Sequence, residues 1–482
     1  MKPFKKFFSL MLTTSLLTAC SIGPNYRRPN LEVPGTWSAA QEGGLSFQAE
    51  PVSAWWKVFK DPTLNSLIER AVQANLDLKI AQARVREARA FRSGTVADFL
   101  PILNASGELK RTHPSSNNQP NTIPSSGSKV VTPTYNLYEA GFDASWEIDI
   151  FGGRRRSFQA ANAELAASEE NARDTLVILL AEVARNYVEV RGFQRRLAIA
   201  ENNLKLQQEA VNITQTRFDS GLTNVLDVAQ ATALLATTQS QVPAFEQALR
   251  TATHRLSVLL GRPPGALFGE LTAEKPIPKP PPLVPAGLPA DLLRRRPDVR
   301  KAEHELMAAT ARIGIAESDL FPKFFLTGIA QLQSVSASDW FSGGSRFWSA
   351  GPTVQWQIFN VSHIQANIRV ENARQDQALA NFEKTVLTSM EDAENALVAY
   401  AKEQQRYEYL KKSVDANRQA LNISNDLYGK GLTNFLNVLE SQRSLYTAED
   451  QLVQSERTIS ANIIALYKAL GGGWETFTGE KS

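Results

Sequence analysis

The sequence predicts a mixed α/β membrane protein. Each protomer contributes four transmembrane β-strands to a barrel completed by further copies, and carries very long α-helices packed as coiled coils. Three observations predict it: the chain is written twice, two long stretches lack helix breakers, and four short segments alternate with period two.

The repeat shows in ordered anchors. Asn75-Leu76-Asp77-Leu78 and Asp98-Phe99-Leu100-Pro101 correspond to Arg296-Pro297-Asp298-Val299 and Asp319-Leu320-Phe321-Pro322. Gly221-Leu222-Thr223-Asn224 returns as Gly431-Leu432-Thr433-Asn434, each followed at the same distance by a Leu-Gly ending, Leu260-Gly261 and Leu470-Gly471. Trp146 and Trp356 form a third matched point. Between the halves, residues 262–289 hold nine prolines, which suits an extended connector better than a helix or central strand. The expected plan is a cleaved signal (1–19), an N-terminal anchor segment (20–60), a first repeat (61–261), a linker (262–290), a second repeat (291–471) and a tail (472–482). In the first repeat, helices are expected near 63–99, 153–219 and 224–260, with strands near 102–110 and 135–149. In the second, helices are expected near 291–319, 361–428 and 434–470, with strands near 323–333 and 347–358.

Residues 361–428 contain neither Gly nor Pro, and residues 154–220 contain only Gly192. Both are rich in Ala, Leu, Gln, Glu and Arg, all good helix formers. At 1.5 Å per residue such a rod is roughly 100 Å long, so it needs neighbours along its length and implies coiled-coil packing. Gly221 and Gly431 stand where each helix must reverse, because glycine accepts left-handed backbone angles.

The strand segments alternate. Tyr138, Ala140, Phe142, Ala144, Trp146 and Ile148 share one face; Glu139, Gly141, Asp143, Ser145, Glu147 and Asp149 share the other. A soluble sheet with one buried face would alternate alike. Aromatics at the segment ends and charge on the opposing face favour a membrane wall with a wet interior. Residues 111–134 and 335–346 read as external loops. Two hairpins give four strands, whereas a closed membrane barrel needs about eight or more. An open sheet would leave unpaired edges in lipid, so other copies must complete it; two would give eight strands and three would give twelve.

The N-terminus supports a membrane location outside the cytoplasm. A basic start precedes an apolar run and the ending Leu17-Thr18-Ala19-Cys20, a secretory signal with a lipoprotein processing box. Cys20 is the sole cysteine and falls where lipidation needs it, and Ser21 after it suits outer-membrane sorting. After cleavage the charge is near zero, because Lys2, Lys5 and Lys6 supply the net excess of +3; this argues against nucleic-acid binding. His113, His254, His304 and His363 show no metal-ligand spacing, and only Met307 and Met390 follow the signal, so no metal site is expected. No phosphate loop, nucleophile elbow or catalytic carboxylate pair occurs, so neither an enzyme nor a cofactor is expected. Arg154-Arg155-Arg156 reads as a solvated turn rather than a lipid-headgroup site.

The chain resembles the TolC-like outer membrane factors, and more closely their OprM/NodT-type lipoprotein branch. The resemblance rests on the processing box followed by Gly23-Pro24-Asn25-Tyr26-Arg27-Arg28-Pro29, Trp55-Trp56, Trp146-Glu147-Ile148-Asp149-Ile150-Phe151-Gly152, the duplicated turns and Tyr467-Lys468-Ala469-Leu470-Gly471-Gly472-Gly473-Trp474. It implies a homotrimer with a twelve-stranded outer-membrane barrel continuous with a helical periplasmic tunnel. It also implies an equatorial belt built from the termini and linker, and an exit-duct role beneath which a periplasmic adaptor and an inner-membrane pump, usually of the resistance-nodulation-division type, are docked. Gly221, Leu222, Thr223, Gly431, Leu432 and Thr433 would form the adaptor-facing helix tips. By position Leu436 would be a constriction, Glu440 an acidic ring and Arg443 its partner, with Asp227 and Tyr428 linking neighbouring helices at the gate. Asn437 departs from the family's second acidic position, which puts a double acidic ring in doubt. The alternatives are an exit duct for protein secretion and, from another class, a lipid-anchored periplasmic coiled-coil adaptor or tether.

Cys20→Ser is expected to abolish metabolic labelling with palmitate without unfolding the helical part of the chain, since anchoring and helix packing are separate energies. Persistent label on the variant would remove the lipoprotein assignment.

Overall fold

The computed structural model describes residues 21–38, 45–46, 53–113, 115, 134–280, 284–285, 289 and 294–478. The signal and Cys20 lie outside the described residues, as do most of the first external loop and residues 479–482. The chain divides into two compact units: Met1–Pro29, Glu87–Ala166 and His304–Ala380 form one, and Asn30–Arg86, Ala167–Glu303 and Asn381–Ser482 the other. The helices are α1 (Pro62–Ala74), α2 (Leu76–Ala97), α3 (Gly153–Asp219), α4 (Val225–Leu259), α5 (Phe268–Leu271), α6 (Pro297–Ser318), α7 (Val361–Gly429), α8 (Phe435–Ala469) and α9 (Glu475–Thr478). The strands are β1 (Leu45–Ser46), β2 (Ile102–Thr112), β3 (Tyr135–Ile148), β4 (Val284–Pro285), β5 (Lys323–Ser334) and β6 (Arg346–Gln355). Among the described residues no helix is long and apolar enough to cross a membrane.

The first unit holds an antiparallel sheet in the order β2-β3-β5-β6. Its register keeps the two faces distinct across all four strands, as a period-two pattern requires. Ala105, Phe142, Ala330 and Trp348 lie side by side on one face, as do Trp146, Leu326 and Pro352. Phe142 is 57% and Trp348 75% exposed, so this apolar face is uncovered within the protomer. The other face is mainly polar, with Phe325, Ile329 and Phe347 among its residues: Asn104 Nδ2 donates to Asp143 at 2.9 Å, and Gln333 Nε2 to Glu139 at 2.6 Å. The outer edges of β2 and β6 pair with no other strand among the described residues.

The repeat is visible at the strand feet. Trp146 Nε1 donates to Phe99 O at 2.9 Å, and its counterpart Trp356 Nε1 to Leu320 O at 3.1 Å. Each indole thus ties its strand to the chain two residues before Pro101 or Pro322 through its single donor.

The three consecutive arginines do not form a solvated turn. Asp149 caps α3 by accepting from Arg154 N and Arg155 N at 3.0 and 3.1 Å, placing a negative charge where the helix start favours it. Arg154 pairs with Glu147 at 2.7 Å and Arg155 with Asp149 at 3.1 Å, while Arg156 is buried. The neighbouring carboxylates remove the cost of cations at a helix start.

The second unit is built on helical hairpins α3/α4 and α7/α8. Its core gathers Trp55, Trp56, Leu64, Ile68, Leu180, Leu256, Ile463 and Trp474, with Trp55 stacked on Tyr467 at 5.4 Å. Asp61 caps α1 from in front of Pro62, accepting from Thr63 N and Leu64 N, and also from the Tyr187 hydroxyl at 2.7 Å. Burial, and then Asp61, push the Tyr187 phenol up to about 12.

Two further expectations need correction. The single helix expected near 63–99 is two, broken at Asn75. Asn75 takes extended backbone angles, accepts from Leu78 N and donates to Leu259 O at 2.9 Å, closing the end of α4. Its counterpart Arg296 precedes α6 and donates to Ala469 O, the matching residue of α8, at 3.1 Å. Arg296 also holds Asp298 and Asp392. Gly261 and Gly471 have positive φ, and a Cβ there would sit 2.7 Å from Ala74 O and 2.8 Å from Arg296 respectively. The linker, expected to be extended throughout, contains α5 between its proline clusters, and its β4 pairs in parallel with β1.

Phe142→Arg on the apolar face is expected to cost about 2–4 kcal/mol near a bilayer midplane and to cut the yield of heat-resistant oligomer on gels. Ser349→Arg, on the polar face, should leave that yield unchanged.

Candidate functional site: the hairpin turns

Both hairpins of the second unit reverse by the same local chemistry. At the end of α3, Gly221 has φ +69; its N–H donates to Phe218 O at 2.9 Å, and Leu222 N–H to Arg217 O at 2.8 Å. At the end of α7, Gly431 has φ +71; its N–H donates to Tyr428 O at 3.0 Å, and Leu432 N–H to Leu427 O at 2.9 Å. These bonds satisfy carbonyls that a helix end leaves unpaired, in an arrangement that needs a left-handed residue. Asn224 and Asn434 then cap the return helices, accepting from Asp227 N and Asn437 N. Leu222 and Leu432 are exposed.

One position distinguishes the turns. Asp227 accepts a hydrogen bond from the Thr223 hydroxyl, whereas Asn437 Nδ2 donates to Thr433 Oγ1 at 2.6 Å. The link is kept and its donor reversed, because a carboxylate only accepts and an amide can donate.

Leu436, Glu440 and Arg443 fall on one exposed face of α8, as their spacing implies. The opposite face, Phe435, Val438 and Leu445, is buried with Val414, Leu421 and Tyr428. The Glu440 and Arg443 side chains make no ion pair within the described residues of the protomer. Asp227 and Tyr428 are not hydrogen-bonded to each other in one protomer.

Tyr428 is held by Arg217, which sequence reasoning did not single out. The guanidinium lies over the Tyr428 ring at 4.6 Å, and its Nη1 donates to Tyr428 O at 3.4 Å. Burial pushes the Tyr428 phenol up; Arg217 opposes that shift and Asp227 adds to it. The pair joins α3 of the first repeat to α7 of the second. Leu427 occupies the repeat position equivalent to Arg217, so the second repeat lacks this cation. Farther from the turns, Arg196–Asp450 at 2.6 Å and Arg457–Glu189 at 2.8 Å join the two repeats by full ion pairs.

A sheet with one lipid-compatible face, unpaired edges and long capped hairpins defines an outer-membrane channel subunit. Residues 67–262 and 288–472 match the model of the outer membrane efflux protein family, and the chain belongs to that family. It is 32% identical to nodulation protein T of Rhizobium leguminosarum bv. trifolii, over 97% of this chain and 96% of that one. It is 33% identical to the pyoverdine export outer membrane protein OpmQ of Pseudomonas aeruginosa, over 98% of each chain. Among solved structures, the outer-membrane channel OprN superposes with a TM-score of 0.89 at 35% identity, covering 95% of this chain and all of that one. The fold is that of the trimeric outer-membrane channels, in which each protomer supplies strands to a shared barrel and helices to a tunnel. The chain is the exit duct of an efflux system, and members of its family are transport channels rather than enzymes.

Arg217→Ala should loosen the turns, since a cation–π contact is worth about 0.5–2 kcal/mol. The expected result is faster tryptic cleavage at the exposed Lys430 with little change in Tm; unchanged cleavage would mean the stack holds nothing.

Proposed function

We propose that three copies of this chain, anchored by lipid on Cys20, form an outer-membrane exit duct gated at the hairpin turns, in a Gram-negative bacterium with the helical part in the periplasm. The turns, Gly221 to Thr223 and Gly431 to Thr433, dock a periplasmic adaptor, which couples the duct to an inner-membrane pump of the resistance-nodulation-division type. The observation that carries this reading is the stripe Leu436, Glu440, Arg443, left uncovered by the protomer directly beside a self-capped turn. Around a threefold axis the stripe would meet its own copies. Leu436 narrows the opening, and like carboxylates at Glu440 repel unless Arg443 of a neighbouring copy offsets them. In this reading Asp227 and the Tyr428 hydroxyl, which has no hydrogen-bond partner among the described residues, link neighbouring copies when the turns draw together. A tether would have no use for the four-stranded sheet and its apolar face.

Each exposed charge contact contributes about 0.2–1 kcal/mol, so closure rests on several repeated by symmetry. Glu440→Ala with Arg443→Ala is expected to raise single-channel conductance in planar bilayers without unfolding the duct, and Leu436→Ala to add to the increase. A double variant conducting like wild type, with a change at Asn437 opening the pore, would put the gate on another helical face.

A further inference from the structure

The first residues of the mature chain lie in a fitted slot of the sheet-bearing unit. Ile22 N–H donates to Phe151 O at 3.2 Å. Arg156 Nε donates to Ile22 O at 2.9 Å and its Nη2 to Gly23 O at 2.8 Å, while Nη1 donates to Gln159 at 3.0 Å. The guanidinium is buried, Arg156 being 2% exposed; burial pushes its pKa down and nearby Glu317 opposes this. Three glycines make the room. A Cβ on Gly152 would meet Ser21 at 2.9 Å, and one on Gly314 would meet both Arg156 Nε and Ile22 O at 2.8 Å. A Cβ on Gly23 would come within 2.4 Å of Gly314 Cα. Burying a cation is costly unless its donors are used, and here two of the nitrogens serve carbonyls more than 130 positions away in sequence.

We infer that Gly152, Arg156 and Gly314 form a receptor for residues 21–23. It fixes the point at which the acyl chains on Cys20 leave the protein, at the corner between β3 and α3. The inference rests on the lipidation proposed above. Under it the anchor is not a loose tether: Cys20 is bonded to Ser21, which is packed on Gly152, so the lipid enters the bilayer at the foot of the sheet. It then sets the depth and orientation of the four strands while the edges find their partners. A long free linker would keep the chain at the membrane but could not set either.

The test uses the full-length protein in two arms. Hydrogen exchange of the peptide covering residues 21–29 should be slow in wild type and at least tenfold faster in Arg156→Ala, with palmitate labelling unchanged. A ten-residue Gly/Ser insertion between Cys20 and Ser21 touches no packed residue. It should keep the peptide protected, yet slow the conversion of newly made chains to heat-resistant oligomer several-fold, as Arg156→Ala does. Exchange that is fast in wild type, or unaffected by Arg156→Ala, overturns the receptor. Assembly of the insertion variant at the wild-type rate overturns its positioning role. Wild type that takes no palmitate while its peptide stays protected removes the lipidation reading and leaves the receptor standing.

Discussion

The constraint on which the structure depends is the unpaired edge. Each outer strand, β2 and β6, carries a row of N–H and C=O groups with no strand beside it among the described residues of the protomer. In hydrocarbon each such group costs several kcal/mol, far beyond what a four-stranded sheet recovers by burying its apolar face. The chain can keep its sheet only by sharing it, which makes association a condition of the fold rather than a later event. The same logic assigns the faces. The row of Phe142 and Trp348 suits lipid, while Asn104, Asp143, Glu139 and Gln333 hydrogen-bond among themselves along a wall that stays wet.

Duplication lets one set of solutions serve twice. Trp146 and Trp356 close the strand feet, Asn75 and Arg296 cap the ends of α4 and α8, and two Gly-Leu-Thr-Asn turns reverse the long helices. The copies have diverged where charge enters. Arg296 reaches Asp298 and Asp392 where Asn75 reaches a single carbonyl of α4, and Arg217 stands where the second repeat has Leu427. A protomer therefore has two hairpins alike in backbone and unlike in electrostatics.

Most of the architecture was legible because it is local or periodic. Strand alternation, the absence of helix breakers and the glycines at the reversals act over a few residues and need no partner to be read. What was missed depends on partners distant in sequence. Asn75 breaks a helix because Leu259 O needs a donor, a fact about residues 184 positions apart. Arg156 looked like a solvated cation because its acceptors belong to residues 22 and 23. The short helix α5 fits between prolines 264 and 276, a gap that composition averaged over. At the turns, the face shared by Leu436, Glu440 and Arg443 was readable from spacing, whereas the Arg217–Tyr428 stack was not, since it crosses from one repeat to the other.

The turns themselves have a further consequence. The amides of Gly221, Leu222, Gly431 and Leu432 are already bonded inside the turn, and the Asn224 and Asn434 side chains are committed to capping. What the turns themselves hold outward at their tips is Leu222 and Leu432, flanked by Asp219, Ser220 and Lys430. The two leucines grip without aiming, because apolar contact has no preferred direction. Rotational registry between such a tip and whatever meets it has to come from the polar flanks, where Asp227 and Asn437 differ.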